Sequence, residues 1–510
     1  MNKLLKILTN RAIIVGLLMV IQLAVLFSIV YRFSEYFVYF YFIYLLISVA
    51  VILKIINSRS NPAYKIAWLI PIMILPVFGT IIYLVFGRIR FSSEDKREML
   101  HIQSEERRIL RSTCSELRIE DNIDAQLQVN YLAGRGESTL FNRTTSHYFP
   151  FGEDVFVAML EEIEKAEHYI FMEYFIVQEG YMWDTLLEAL VKKVNEGVEV
   201  RFIYDDLGCL FTLPANYDKK LKSLGIKCGV FNQFSPILSS IFNNRNHRKI
   251  TVIDGKVAFT GGINLADEYI NKIERFGHWK DNGILLRGEA AWGFTLLFLS
   301  LWRFVDKTST DNPYDYRPDY RPGELPESIG YYLPYVDSPF DKETVGMNVY
   351  LNLISRAKES IYITTPYLII DNTLTEALSN AAKSGIDVRI ITPHIPDKWY
   401  VHEITRSNYA RLIEVGIKIF EYTPGFIHSK TFVVDGEYAT VGTVNLDYRS
   451  LFLHFECGVW MYQTESVVEL LKDHLATEEK SQLITLKEAK NVPWFKKVLR
   501  AVIGVFSPLL

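Results

Sequence analysis

His247-Arg248-Lys249-Ile250-Thr251-Val252-Ile253-Asp254, followed shortly by Gly261-Gly262-Ile263-Asn264, is the stretch that decides how this chain is read. The pattern recurs as His428-Ser429-Lys430-Thr431-Phe432-Val433-Val434-Asp435, followed at the same spacing by Gly442-Thr443-Val444-Asn445. In an extended strand, residues i and i+2 share a face, so His247 and Lys249 point one way, as do His428 and Lys430. Both strands run into apolar residues, ITVI and TFVV, that belong in a core. A glycine-bearing turn then brings the chain back so that an Asn reaches the same patch. Each copy presents one imidazole, one ammonium and one carboxamide.

That set suits a phosphodiester. One imidazole attacks phosphorus, the other protonates the leaving oxygen, and the Lys and Asn groups hold the non-bridging oxygens with their developing charge. A nucleophilic imidazole needs an acceptor on its far nitrogen to select the tautomer. Asp281-Asn-Gly-Ile follows the first motif and Glu456-Cys-Gly-Val follows the second. Pairing each acid with its own copy assigns Asp281 to His247 and Glu456 to His428. Asp254 and Asp435 close the motifs and are counted with the catalytic set, although each precedes a Gly at a turn, which favours a structural role. Glu173 is read either as lining the pocket or as a surface or structural carboxylate, Arg245 and Arg449 flank the motifs as head-group contacts or ordinary salt bridges, and His454 lies close to Glu456.

The doubling extends beyond the motifs. HYIFMEYFIV (168–177) matches ESIYITTPYLII (359–370), ALVKKVNEGVEVRFIYDD (189–206) matches ALSNAAKSGIDVRIITPH (377–394), and LKSLGIKCGVF (221–231) matches LIEVGIKIFEY (412–422). Each is helix, glycine turn and strand, so the expected fold is α/β, two tandem lobes with mixed sheets flanked by helices. The first lobe spans 126–305 and the second 346–485. A Pro-, Asp- and Tyr-rich connection without strand or helix period, 306–345, divides them. A charged, helix-like linker covers 95–125.

Residues 1–94 hold most of the long apolar runs: 12–31, 37–53 and 66–87. A run of about 20 apolar residues crosses the hydrocarbon core as a helix, so a multi-pass membrane region is expected. A cleaved signal peptide fits poorly, because the first run is long and a second follows almost at once. Pro71, Pro76 and Gly79 predict a kink or a re-entrant hairpin in the third run. Basic clusters flank every run and cannot all lie on one side after three full crossings. A third run that does not cross eases the conflict, with the lobes cytoplasmic. The tail 486–510 places Trp494, Val498, Val502 and Val505 on one helical face, with Lys496, Lys497 and Arg500 for charge, as an interfacial helix on anionic lipid would.

The net charge of -4, from 55 basic and 59 acidic residues, offers no global excess to grip nucleic acid, which counts against a nuclease. The four cysteines are far apart and form neither a disulfide framework nor a thiolate metal site.

The doubled H-x-K-x4-D-x6-G-[GST]-x-N pattern resembles the phospholipase D superfamily. The apolar N-terminus, NHRKITVIDGKVAFTGGINLADEY (246–269) and the terminal SPLL (507–510) resemble bacterial cardiolipin synthases along nearly the whole chain. That resemblance implies condensation of two phosphatidylglycerols into cardiolipin and glycerol through a phosphatidyl-histidine, without a metal or other cofactor. It implies His247 as nucleophile and His428 as general acid, and Trp279-Lys280-Asp281 matches the family's W-x-D. The partners expected are phosphatidylglycerol and anionic membrane lipid, no nucleic acid, and an assembly compatible with a homo-oligomer. A hydrolytic phospholipase D or a phosphatidylserine synthase shares the intermediate and differs only in the acceptor.

Overall fold

The computed structural model describes residues 37–87, 92–114, 116–136, 138–233, 243–327, 329–340 and 343–509, with scattered single positions over 17–31. The apolar run 12–31 therefore lies outside the continuously described residues. The second run forms a helix, Phe37–Ile56. The third breaks at Leu75 into the helices Pro62–Ile74 and Pro76–Phe86. Pro76 opens the second helix at its first position, where its missing N–H costs nothing. A Cβ on Gly79 would meet the Pro71 carbonyl at 2.4 Å, so only glycine permits this bend. Among the described residues no helix is long and apolar enough to cross a membrane.

Two sheets follow. The first joins β1 (Thr144–Phe149), β2 (Tyr169–Tyr174), β3 (Glu199–Asp205), β4 (Lys227–Phe231), β5 (Ile250–Ile253), β6 (Val257–Gly261) and β8 (Gly283–Gly288) in the order β1-β8-β6-β5-β2-β3-β4, while β7 (His278–Lys280) stands apart. The second joins β9 (Tyr331–Asp337), β10 (Ser360–Thr364), β11 (Asp387–Pro393), β12 (Lys418–Tyr422), β14 (Thr431–Val434), β15 (Tyr438–Gly442), β16 (Glu456–Tyr462) and β17 (Ser481–Leu483), in the order β17-β12-β11-β10-β14-β15-β16-β9. Read from β9 to β12, it repeats the first sheet strand for strand, with β17 added at the far edge. β2–β3–β4 and β10–β11–β12 are parallel, and the other neighbours within each sheet are antiparallel. The two lobes of mixed sheet and helix expected from the repeats are thus present.

Three boundaries move. The segment read as a linker contains a 21-residue helix, Ser93–Thr113, closed by a capping box between Ser92 and Asp95. Its Met99, Ile102, Ile109 and Leu110 join the core around the buried helix Ala290–Val305. The helix Ile123–Arg135, assigned largely to the first lobe, packs Ala125, Val129 and Leu132 into the second-lobe core beside Trp460. The connection 306–345 contains β9, which pairs with β16 at the margin of its sheet. Pro334 fits there because a marginal strand has backbone positions that need not donate to a ladder.

The lobes are joined by main chain. A short strand β13 (Gly425–Ile427), just before His428, pairs in parallel with β7, just before Asp281. Asn246, just before His247, makes a parallel bridge to Phe455, just before Glu456. The tail helix Trp494–Phe506 docks on the helix Trp399–Ile413 through ion pairs of Lys496 and Arg500 with Glu403, at 3.0 and 2.7 Å. Two of the three basic residues expected to meet lipid therefore face protein, while Trp494, Phe495, Val498 and Val502 remain exposed.

Candidate active site

His247 and His428 line one cleft of about 480 Å³ between the lobes, together with Asn264 and Asn445. Each histidine side chain is 9% exposed, so its chemistry is confined to that cleft. His428 Nδ1 lies 2.7 Å from Asp281 Oδ2, and His247 Nδ1 lies 3.0 Å from both oxygens of Glu456. Both acids are fully buried. The pairing is the reverse of the one expected: each acid serves the histidine of the other lobe. The cause is the main-chain pairing just described. The His428 amide donates to the Lys280 carbonyl at 2.7 Å and the His247 amide to the Phe455 carbonyl at 2.9 Å, which brings the next residue, Asp281 or Glu456, under the opposite imidazole. Gly262 makes room for this: a Cβ there would meet Asp281 Oδ1 at 2.0 Å. Its counterpart Thr443 donates its hydroxyl to Glu456 instead.

The lysines are buried behind their histidines. Lys249 Nζ donates to the His247 carbonyl at 2.6 Å, and Lys430 Nζ donates to the His428 carbonyl. Burial pulls Lys249 down to about 8 and Lys430 to about 7. Burial, and then Lys430, pulls His428 down to about 4. Burial, Lys249, Lys430 and His428 hold His247 well below the usual imidazole range. Burial alone would raise Asp281, but the adjoining His428 carries it below the carboxylate range. Burial is the first cause of each depression, and an anion bound beside these groups would favour their protonated forms.

Asn264 is tied on both ends, its oxygen accepting from the Ile176 amide and its Nδ2 donating to the Tyr269 hydroxyl. Asn445 Oδ1 is buried without a hydrogen-bond partner. Asp254 and Asp435 do not line the cleft. Asp254 accepts the amides of Glu167, His168 and Tyr169, and Asp435 those of Lys358, Glu359 and Ser360, all at 2.7–2.8 Å. Counting them with the catalytic set is therefore corrected. Each sits at positive φ in the turn after its motif strand and fastens the start of β2 or β10. Asp254→Ala is expected to cost about 2 kcal/mol of stability by stranding these donors, while turnover per folded molecule stays within a few-fold. Chemical denaturation and active-site titration check both.

Glu173 also lies outside the cleft, 4.0 Å from Arg248, and burial pushes it up to about 7. Arg245 and Arg449 both line the cleft. The rings of Trp279, Phe426 and Tyr269 surround His428 at 5.4–5.8 Å between centroids. Sequence reading did not single out Phe426 or Tyr269, although both adjoin the motifs. His247, His454 and Glu456 bring three ligand-type atoms within 4.8 Å of one another. Glu456 already holds His247 and Thr443, and Lys249 and Arg449 bear on the same spot, so the local charge opposes a cation there.

The model of the family described as cardiolipin synthase, PLD-like domain, matches residues 159–275 and 350–476, and a phospholipase D-nuclease N-terminal model matches 46–88. A cardiolipin synthase of Geobacillus kaustophilus is 35% identical over 471 residues, covering 91% of this chain and 92% of its own. An uncharacterized protein of Streptococcus mutans is 40% identical over 470 residues, covering 90% and 99%. The crystal structure of a phosphatidylserine synthase from Haemophilus influenzae shares the fold at a TM-score of 0.57 and 14% identity, over 72% of this chain and 93% of that one.

Proposed function

This chain belongs to the cardiolipin synthase family with phospholipase D-like domains, and we propose that its cleft passes a phosphatidyl group from one phosphatidylglycerol to another through His247, releasing glycerol. It is a phosphatidyltransferase of the cardiolipin synthase type. The observation that carries the mechanism is a pair of imidazoles in one cleft, each bonded at Nδ1 to a buried carboxylate. That leaves Nε2 of each ring for the substrate. In the first step His247 Nε2 attacks phosphorus, the bond to glycerol breaks, and His428 hands its proton to the departing oxygen. In the second step the hydroxyl of another phosphatidylglycerol gives its proton to His428 and displaces His247. Lys249 and Lys430 supply positive charge behind the phosphate, and Asn264 and Asn445 face it from the cleft wall.

His428 must hold a proton to act first as an acid, yet burial and Lys430 keep it near 4. The substrate's own negative charge raises it on binding. A group held below the ambient pH and lifted by an anion takes up a proton. Binding of a non-reactive phosphonate analogue of phosphatidylglycerol near pH 7 is therefore expected to take up about one proton at His428 and a further fraction at Lys430, which burial holds at about 7, read by calorimetry in buffers of different ionisation enthalpy. Proton release would contradict this account.

The lobes are proposed to sit at the cytoplasmic face of the cell membrane. Support comes from the apolar runs 12–31 and 37–53 and from the exposed apolar side chains Phe42, Leu46 and Leu53 on Phe37–Ile56. Lipid mass spectrometry tests the acceptor. Incubation with phosphatidylglycerol, with or without serine, is expected to give cardiolipin and glycerol. Phosphatidic acid as the main product would mark a hydrolase, and phosphatidylserine a serine transferase.

A further inference from the structure

We propose that Tyr269 is a further catalytic residue: its hydroxyl donates a hydrogen bond to a non-bridging oxygen of the reacting phosphate, and Asn264 is the positioning residue that aims it. This rests on the transfer reaction proposed above and assigns a donor to that phosphate on the His428 side of the cleft.

Asn264 and Asn445 hold the same place in the two repeats, but the first is engaged at both ends. The Ile176 amide can only donate, and it lies 3.1 Å from Asn264 Oδ1, so that oxygen is taken. The carboxamide nitrogen therefore faces the other way and donates to the Tyr269 hydroxyl at 2.9 Å. An amide nitrogen cannot accept, so the phenol keeps its own proton for another partner. Among the described residues no group accepts that proton within hydrogen-bond distance. Tyr269 is 3% exposed and lines the cleft, and its ring lies 5.7 Å from that of His428 at an interplanar angle of 67°. Burial, followed by Glu268, Asp281 and Asp397, holds the phenol well above its usual range, so it stays a donor throughout the reaction.

The short helix Asp267–Ile270 fixes the ring. At its start Asp267 accepts the amides of Tyr181 and Met182. At its end Asn271 donates to the Trp279 carbonyl at 2.9 Å and accepts the Trp279 amide at 2.7 Å. Gly152 lets another segment come close, since a Cβ there would meet the Tyr269 carbonyl at 2.1 Å. A donor fixed before the substrate arrives costs no reorganisation when charge grows on the phosphate oxygens. The second lobe offers no counterpart: at the same count from Asn445 stands Ser450, which does not line the cleft. The bonds made and broken at phosphorus stay as given above. Tyr269 neither loses nor gains a proton, and holds the oxygen more tightly as its charge builds.

The test measures cardiolipin formation by Tyr269→Phe, Asn264→Leu, Asn445→Leu and their double variants. Tyr269→Phe is expected to lower kcat at least about tenfold, with KM within about threefold. Asn264→Leu should cost a similar factor alone but less than about threefold more on top of Tyr269→Phe, because both remove one hydrogen bond. Asn445→Leu should cost the same factor in either background. Undiminished kcat in Tyr269→Phe overturns the proposal. So do losses that multiply between Tyr269→Phe and Asn264→Leu, which would put Asn264 on the phosphate itself. Incorporating 3-fluorotyrosine in place of Tyr269 covers the case in which a variant fails to fold. Its fluorine resonance is expected to shift with the non-reactive phosphonate analogue and not with diacylglycerol, which lacks the phosphate, and an equal response to both overturns the proposal. If the intact chain forms no cardiolipin, the transfer reading falls and this assignment with it. Cardiolipin formation together with an unaffected Tyr269→Phe sinks this assignment alone.

Discussion

His428→Ala enzyme incubated with phosphorus-labelled phosphatidylglycerol is expected to retain acid-labile, base-stable label on the protein, and His247→Ala enzyme to retain none. Each is expected to form cardiolipin at least about 10³-fold more slowly than the intact chain. On the roles proposed above, the two substitutions should fail differently. Without His247 there is no nitrogen to form the N–P bond, and the phosphodiester stays bound but intact. Without His428 the glycerol leaves unaided and slowly. The adduct then also lacks the base that would activate the second hydroxyl, so it accumulates. The surroundings differ to match. His428 sits in a cage of Trp279, Phe426 and Tyr269, whereas His247 has one phenyl ring, Phe175, and the imidazole of His454 beside it, in a cleft also lined by Arg245 and Arg449. Label confined to the His247→Ala enzyme would exchange the two roles.

Much of this site is legible in the sequence because its chemistry is local. His and Lys two apart on a strand, followed by a glycine return to Asn, specify a patch whatever surrounds it. The repeat likewise foretold two lobes, which match strand for strand from β9 to β12. Three features resisted for separate physical reasons. Ser93–Thr113 is charged on most of its surface, and its buried stripe of Met99, Ile102, Ile109 and Leu110 is narrow enough to pass as a solvated linker. β9 carries Pro334, which speaks against a strand unless its marginal place in the sheet is known. The partners of Asp281 and Glu456 depend on how two lobes dock, and a linear repeat places each acid nearest its own motif. Asp254 and Asp435 were ambiguous because a motif carboxylate has the same appearance whether it meets substrate or a row of backbone amides.

The crossed pairing has a consequence that separates it from the in-lobe alternative. Glu456→Gln and Asp281→Asn are each expected to lower turnover by about 10³- to 10⁴-fold, since an amide in place of the orienting carboxylate offers a donor, favours the wrong tautomer and no longer stabilises the imidazolium. The step that fails should differ. Glu456 supports His247, so Glu456→Gln should block adduct formation and leave the protein unlabelled, like His247→Ala. Asp281 supports His428, so Asp281→Asn should trap label, like His428→Ala. Both substitutions are nearly isosteric, and near-ultraviolet circular dichroism separates a chemical loss from a folding one. Because the Lys280 and Phe455 carbonyls receive the amides of His428 and His247, each lobe supplies the acid that the other's histidine lacks. Neither lobe alone can then assemble a competent imidazole. If Glu456→Gln retained label and Asp281→Asn did not, each acid would act on the histidine of its own repeat, and the docking of the two lobes would lose its part in the chemistry.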